Sequence, residues 1–136
     1  MRHDILFETS RFNVTDPKEH FINPCCFGED AAAWLRGELI EKGFTVGSPG
    51  QEDWGWYLQA GYVGNSYFLG FGGYLQEEAA ARNMGEWRVM IEKRRSVWDR
   101  LRNRNKMSED EPIVAIVENI LRAEIDFHNV RRETGD

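Results

Sequence analysis

The sequence offers little from which a covalent cross-link or a metal site can be built. Its only two cysteines, Cys25 and Cys26, are adjacent in a chain of 136 residues. Neighbouring cysteines close almost no loop and strain the peptide bond between them, so we expect reduced thiols instead of a disulfide. None of the three histidines stands at a recognised cysteine–histidine spacing. We therefore predict no metal and no cofactor.

Long apolar runs are also missing. Charged residues such as Arg2, Asp4 and Glu8 interrupt the first apolar stretch, unlike the continuous hydrophobic segment of a secretory signal. No later segment approaches the length of uncharged sequence that crosses a bilayer. These features predict a cytoplasmic protein without membrane contact. The length predicts a single domain over residues 1–136 with one substantial core.

Recognisable catalytic motifs are absent as well. The sequence has no G-x-S-x-G elbow, no G-x-x-x-x-G-K-[ST] phosphate loop and no H-E-x-x-H helix. A thiol of Cys25 or Cys26 with His20 as its base is one nucleophilic pair that the sequence leaves open. Proximity in sequence does not establish that these side chains meet, so we favour a protein without catalytic activity.

Aromatic side chains, by contrast, are abundant in residues 54–74, where they fill eight of twenty-one positions. Aromatic residues favour pleated surfaces, and the glycines between them let a strand bend or a neighbour approach. We predict a β-hairpin with Gly64 and Asn65 at its tip. Alternation divides its first strand into two faces. One face carries Trp54, Trp56, Leu58, Ala60 and Tyr62, and the other carries Tyr57, Gln59 and Val63.

Helical and extended patterns share the rest of the chain. A helix is predicted from Glu29 to Gly43 and another from Ser108 onward, because apolar residues recur there at helical spacing. Asp16 and Pro17 predict a short helical turn. Extended segments are expected at residues 5–7, 12–14, 67–75, 87–91 and 125–130, with a polar loop before residue 87. The fold class is α+β: a two-layer domain with an antiparallel sheet of about four to five strands and two main helices on one face.

A basic segment, residues 93–106, stands out against the acidic remainder. Its seven lysines and arginines face Asp99 alone, for a local charge of +6, whereas the whole chain carries −6. Arginines that alternate with an aromatic residue can hold phosphates while the ring stacks a base. This predicts a nucleic-acid contact through Arg94, Arg95, Trp98, Arg100 and Arg102. The alternative is a solvated connection whose arginines pair with the chain's own carboxylates.

A second local motif is the run of residues 52–56, E-D-W-G-W. Two neighbouring carboxylates beside indole rings can form an acid–base pair, which predicts a small hydrolase centred on Glu52 and Asp53. Adjacent residues of a strand point to opposite faces, so these carboxylates converge only if they lie in a loop. The alternative is a loop that leads into a strand whose tryptophans fill the core.

This motif, with G-E-D at 28–30, W-L at 34–35, Trp87 and the late amphipathic helix, resembles a pattern in small bacterial proteins of uncharacterised function. The resemblance spans most of the chain, implies a compact α+β domain and carries no catalytic residues with it. Small acidic domains of this type look like stoichiometric inhibitors or immunity proteins.

The leading hypothesis is a non-enzymatic protein-binding module that engages a basic partner. Glu52 and Asp53 would steer the partner, and Trp54, Trp56 or Tyr57 would anchor it. The nucleic-acid contact and the hydrolase are the alternatives. An apolar sheet face would also permit a homodimer.

Overall fold

The computed structural model describes residues 2–75 and 84–135. These residues form a mixed α+β fold, which confirms the predicted class, and the polar loop expected before residue 87 lies mostly outside them. The elements in chain order are β1 (Arg2–Thr9), α1 (Glu29–Glu41), β2 (Thr45–Val46), β3 (Gly50–Glu52), β4 (Gly55–Tyr62), β5 (Asn65–Leu75), β6 (Gly85–Lys93), α2 (Val97–Leu101), α3 (Pro112–Arg122) and β7 (His128–Gly135).

The described strands form one antiparallel sheet of seven, in the order β2-β4-β5-β6-β1-β7, with β3 also paired to β4. The prediction of four to five strands was therefore too low. The difference arises because β2 and β3 have only two and three residues, too few for alternation to reveal them. Residues 12–14 form no strand, and Phe12 and Val14 are instead buried loop residues.

The central hairpin forms as predicted, with its tip displaced by one residue. Tyr62 pairs with Asn65, so the two-residue loop is Val63-Gly64. Both loop residues have positive φ, 48° and 78°, as a type I′ turn requires. Valine rarely adopts this conformation because its branched side chain crowds the backbone, which is why the sequence pointed to Gly64 and Asn65.

One hydrophobic cluster forms the core. It combines the buried side chains of α1 and α3 with those of one sheet face, which we call the inner face. The inner face presents Ile5 and Phe7 of β1, Trp56, Leu58 and Ala60 of β4, Tyr67, Leu69 and Phe71 of β5, and Trp87, Val89 and Ile91 of β6. The alternate residues form the outer face, among them Leu6, Tyr57, Phe68, Gly70, Gly72 and Met90.

The two long helices begin where local chemistry permits. α1 begins at Glu29, with two acidic residues in its first turn, where they favour the positive end of the helix dipole. α3 begins at Pro112, with Glu111 preceding it, four residues after the predicted Ser108. The turn predicted after Asp16 and Pro17 is a single hydrogen-bonded turn, from the amide of Phe21 to the carbonyl of Lys18 at 3.1 Å, which does not continue into a helix.

Candidate functional site

The turn between β3 and β4 carries Glu52, Asp53 and Trp54. Its backbone is tied to the preceding loop, since the Cys26 thiol donates to the carbonyl of Glu52 at 3.0 Å and Asn23 donates to that of Asp53 at 2.6 Å. Both carboxylates are exposed, and neither makes a hydrogen bond or an ion pair within the described part of the chain. Neither residue lines any of the three cavities that are described below. The geometry therefore gives the hydrolase hypothesis no support.

The two tryptophans of this motif lie on opposite faces of the sheet, although alternation placed them together. Trp54 precedes the strand, in the turn, so alternation does not extend to it. Its ring lies across Gly70 on the outer face, where a Cβ would stand 2.8 Å from Cη2 of Trp54, and the residue is 41% exposed. Trp56 is buried, and its Nε1 donates to the carbonyl of Cys26 at 2.9 Å. Trp56 is therefore a core residue, whereas Trp54 stays accessible.

Aromatic side chains cover part of the outer face beside Trp54. Tyr57 stacks on Phe68 with ring centroids 5.3 Å apart, and Trp54 meets Phe68 edge-on at 6.3 Å. A cavity of about 420 Å³ opens there, lined by Arg2, Trp54, Phe68, Gly72, Met90 and Glu92. Of the residues on this part of the outer face, Trp54 and Tyr57 were predicted from the sequence, whereas Phe68, Met90 and Arg2 were not. The alternation of β5 and β6 was the signal that places Phe68 and Met90 on this face.

No hydrogen bond joins His20 to the thiol of Cys25 or Cys26 among the described residues. Burial raises the pKa of the Cys26 thiol, which disfavours the thiolate that nucleophilic chemistry needs. His20 instead lies 2.7 Å from a carboxylate oxygen of Glu29. Within residues 2–75 and 84–135, no group of three or more histidine, cysteine, aspartate or glutamate side chains is arranged to hold a metal ion.

Within the part of the chain that the structure describes, the basic segment makes one ion pair. Of its seven cations, only Lys93 forms an ion pair among the described residues, with Glu111. The Arg95 guanidinium donates to the backbone carbonyls of Arg104 and Asp99, at 3.0 and 3.2 Å. Among the described residues, the basic segment therefore pairs with the chain's own carboxylates only through Lys93 and Glu111.

Helix α2 displays apolar side chains within this segment. Val97, Trp98 and Leu101 are 71%, 66% and 72% exposed, and no residue of the helix is buried. Polar contacts hold it: Ser96 and Asp99 form a reciprocal capping box. The guanidinium of Arg102 lies 5.5 Å from the Trp98 ring centroid, within the range of a cation–π contact.

A buried polar cluster joins the two ends of the basic segment to the core. Lys93 and Glu111 form an ion pair at 3.0 Å, with side chains 8% and 6% exposed. The Tyr67 hydroxyl donates to the other Glu111 oxygen at 2.7 Å. The amide of Ser108 donates to Glu111 at 3.3 Å, and His3 contacts the carbonyl of Ser108 at 2.8 Å. Strand β6, the loop before α3 and strand β1 are thereby fixed relative to one another.

The direction in which the pKa values of Tyr67 and Glu111 shift follows from the contacts of these groups. Burial, together with the hydrogen bond to Glu111, raises the pKa of Tyr67. Burial acts to raise the pKa of Glu111 too, but the hydrogen bonds from Tyr67, Lys93 and Ser108 outweigh it and leave that pKa below its ordinary value. Glu111 is therefore a buried carboxylate that stays ionised at neutral pH.

Two further cavities lie where strand β6 meets α2. One, of about 280 Å³, is lined by Phe68, Glu92, Lys93, Arg94, Arg95 and Arg100. The other, of about 470 Å³, is lined by Arg2, Glu92, Lys93, Arg95, Arg100, Lys106 and Met107. The structure thus brings Arg94, Arg95 and Arg100 of the predicted site together around concave space. Trp98 and Arg102 line neither cavity and face solvent instead.

Comparison with protein-family models, curated proteins and solved structures finds no match to this chain. Within the described residues, no helix combines the length and apolar character that a membrane crossing requires.

Proposed function

We propose that the protein is a non-enzymatic protein-binding module whose anchor is helix α2. The observation that carries this proposal is the exposure of Val97, Trp98 and Leu101 on a helix that contributes nothing to the core. Tryptophan and arginine are the residues most enriched at the energetic centres of protein interfaces. Here Trp98 projects beside Arg102 on a helix that is already formed, so binding requires little additional ordering.

The unpaired cations around α2 favour a partner with an acidic surface. Arg94, Arg100 and Arg104 are exposed and make no ion pair within the described residues. An acidic surface would steer toward them and speed the encounter. The basic partner expected from Glu52 and Asp53 would have to use a different surface, around Trp54. A stoichiometric inhibitor or immunity-type role is compatible with either partner.

We also infer that the fold is a two-layer domain in which both long helices cover the inner face. Support comes from the single core cluster that α1 and α3 share with that face. Helix α2 contributes no buried residue to this cluster, so replacing its apolar side chains leaves the core intact.

The test measures which host proteins bind to the full-length protein in a nuclease-treated lysate. Wild type is compared with Trp98→Ala and Leu101→Ala. The matched control is Ile125→Ala, which removes an aliphatic side chain that is 96% exposed in the turn before β7. We expect one protein, recovered at near-equal stoichiometry. Its Kd should rise roughly 30-fold or more for Trp98→Ala and less than about twofold for the control.

Equal retention by wild type and Trp98→Ala would refute α2 as the anchor. The same capture is repeated from an untreated lysate with Arg100→Gln alongside. Recovery that nuclease abolishes, and that Arg100→Gln weakens while Leu101→Ala does not, would replace this proposal with the nucleic-acid alternative. A dimer of the purified protein that Trp98→Ala converts to a monomer would identify the partner as a second copy of the chain.

A further inference from the structure

A row of three adjoining cavities, which we call the trough, runs from Trp54 on the outer face to Lys106. Three cavities, of about 420, 280 and 470 Å³, form it by sharing lining residues. Phe68 lines the first and second, Arg100 the second and third, and Glu92 all three. Volumes of this size are those of small-molecule pockets.

The two ends of the trough differ in chemistry. The end at Trp54 is mainly aromatic and apolar, with Phe68 and Met90 beside the indole, although Arg2 and Glu92 also line it. Its floor is open at Gly72, where an added Cβ would meet no atom closer than the carbonyl oxygen of Trp54 at 4.0 Å. A planar ring fits such a surface, because aromatic rings stack on flat apolar groups.

The other end of the trough is cationic. Two of its cations are paired: Lys93 with Glu111, and Arg2 with Asp4, a carboxylate that Arg2 shares with Arg88. Arg100 and Lys106 have no ion-pair partner among the described residues, and backbone carbonyls orient the Arg95 guanidinium. The lining contains a single carboxylate, that of Glu92. Unpaired cations around concave space repel one another, and an anionic ligand relieves that repulsion.

We propose that this trough binds a nucleotide. The base lies against Phe68 and Trp54, and the phosphates lie between Arg95 and Arg100, whose planar forks match phosphate geometry. The same chemistry is offered by a free nucleotide and by a nucleotide within a single strand. The apolar anchor of the protein-binding surface, Trp98 and Leu101, does not line the trough, although Arg94 and Arg100 belong to both surfaces. The proposal therefore goes beyond the function proposed above and does not depend on it.

Isothermal titration calorimetry of the full-length protein with four probes tests this proposal. The probes are ATP, UTP, a ten-residue oligothymidylate and inorganic pyrophosphate. Arg100→Gln should weaken binding of the nucleotide probes roughly tenfold or more, because a charge-assisted contact is lost. The matched control is Arg104→Gln, which removes the same charge from the same segment at a residue that lines no part of the trough. We expect less than about a threefold change for this control.

Two further variants separate the ends of the trough. Glu92→Gln should strengthen binding of every anionic probe, since it removes the one carboxylate that opposes them. Phe68→Leu should weaken ATP, UTP or oligothymidylate binding severalfold and leave pyrophosphate binding unchanged. Thermal unfolding of each variant verifies that it is folded.

The outcomes are distinct. Saturable binding of ATP or UTP identifies a free nucleotide as the ligand, and binding of the oligothymidylate alone identifies a single strand. The proposal is overturned if none of the base-carrying probes binds. Equal losses of nucleotide affinity for Arg100→Gln and Arg104→Gln would also overturn the proposal. They would indicate that the probes are attracted by the positive charge of the whole segment and not by a defined site. Pyrophosphate that binds as tightly as ATP would reduce the site to an inorganic anion site.

Discussion

Replacing Glu111 with glutamine removes the carboxylate that pairs with Lys93. The Lys93 ammonium is 3.0 Å from Glu111, and both side chains are less than a tenth exposed. Glutamine still accepts a hydrogen bond from Tyr67, but it carries no charge. The ammonium group is then buried without a counter-ion, which is among the most costly changes that a single substitution makes.

The expected loss of unfolding free energy is about 3–5 kcal/mol, the usual cost of breaking a buried pair by removing one partner. A domain of this length should then melt roughly 10–20 °C lower. The matched control is Glu118→Gln. Glu118 is also paired, with Arg122 and Arg132, but these arginines are 51% and 40% exposed. Surface pairs contribute about 0–1 kcal/mol, so the control should melt within a few degrees of wild type.

The pH dependence gives a second readout. The pKa of Glu111 is held below its ordinary value of 4.5 in the folded protein. Its ionised form therefore contributes stability that is fully present above about pH 5 and is lost as the pH falls through the folded pKa. Urea unfolding of wild type and Glu111→Gln between pH 7 and pH 4 measures this. The difference between the two proteins should be constant at neutral pH and shrink toward pH 4.

The prediction is wrong if Glu111→Gln lowers the free energy of unfolding by no more than Glu118→Gln does at pH 7. It also fails if the difference between wild type and Glu111→Gln grows as the medium becomes more acidic. Should Glu111→Gln not fold, Tyr67→Phe keeps the ion pair and removes only the hydroxyl that donates to Glu111 at 2.7 Å. A loss of roughly 1.5–3 kcal/mol is expected for that variant, as for a hydrogen bond to a charged group.

Two backbone positions lead to further predictions that urea unfolding can check. Gly55→Ala should destabilise the protein by several kcal/mol or prevent folding, because its Cβ would overlap the carbonyl oxygen of Phe71; a loss below about 1 kcal/mol would contradict this. Val63→Asn should stabilise it by roughly 1 kcal/mol, since Val63 has φ of 48° and is 81% exposed and asparagine tolerates that conformation better. A lower melting temperature for Val63→Asn would show that the turn is not strained.

Periodicity predicted the parts of the fold that bury a continuous apolar face. Helix α1, the β4–β5 hairpin and strand β6 all lie close to their expected positions. Each has enough residues for its repeat to be visible, and each repeat corresponds to side chains that enter the core. The edge strand β7 was also expected, although it begins at His128 and leaves Ile125 exposed.

The candidate site was less accessible to sequence reasoning because tertiary contacts assemble it. The trough combines Arg2 with Phe68 and Arg100, residues that lie far apart in the chain. No local sequence pattern indicates that β6 lies between β5 and β1 in the sheet. The different positions of Trp54 and Trp56 could not be predicted either, because they depend on where the turn ends and the strand begins. That boundary is the least predictable feature of an element.

The Lys93–Glu111 pair explains how the chain fixes the conformation of the basic segment, whose other cations form no ion pair among the described residues. Its exposed cations repel one another, although salt limits this repulsion to neighbours within about 8 Å at physiological ionic strength. The buried pair fixes the segment where it leaves β6, and the Ser108 and His3 contacts fix it again before α3. Between these points the arginines remain free of ion pairs within the described chain. A segment that served only as a connection would need neither a buried ion pair at its ends nor an exposed tryptophan at its centre. The combination favours a surface that is kept rigid and charged for a partner.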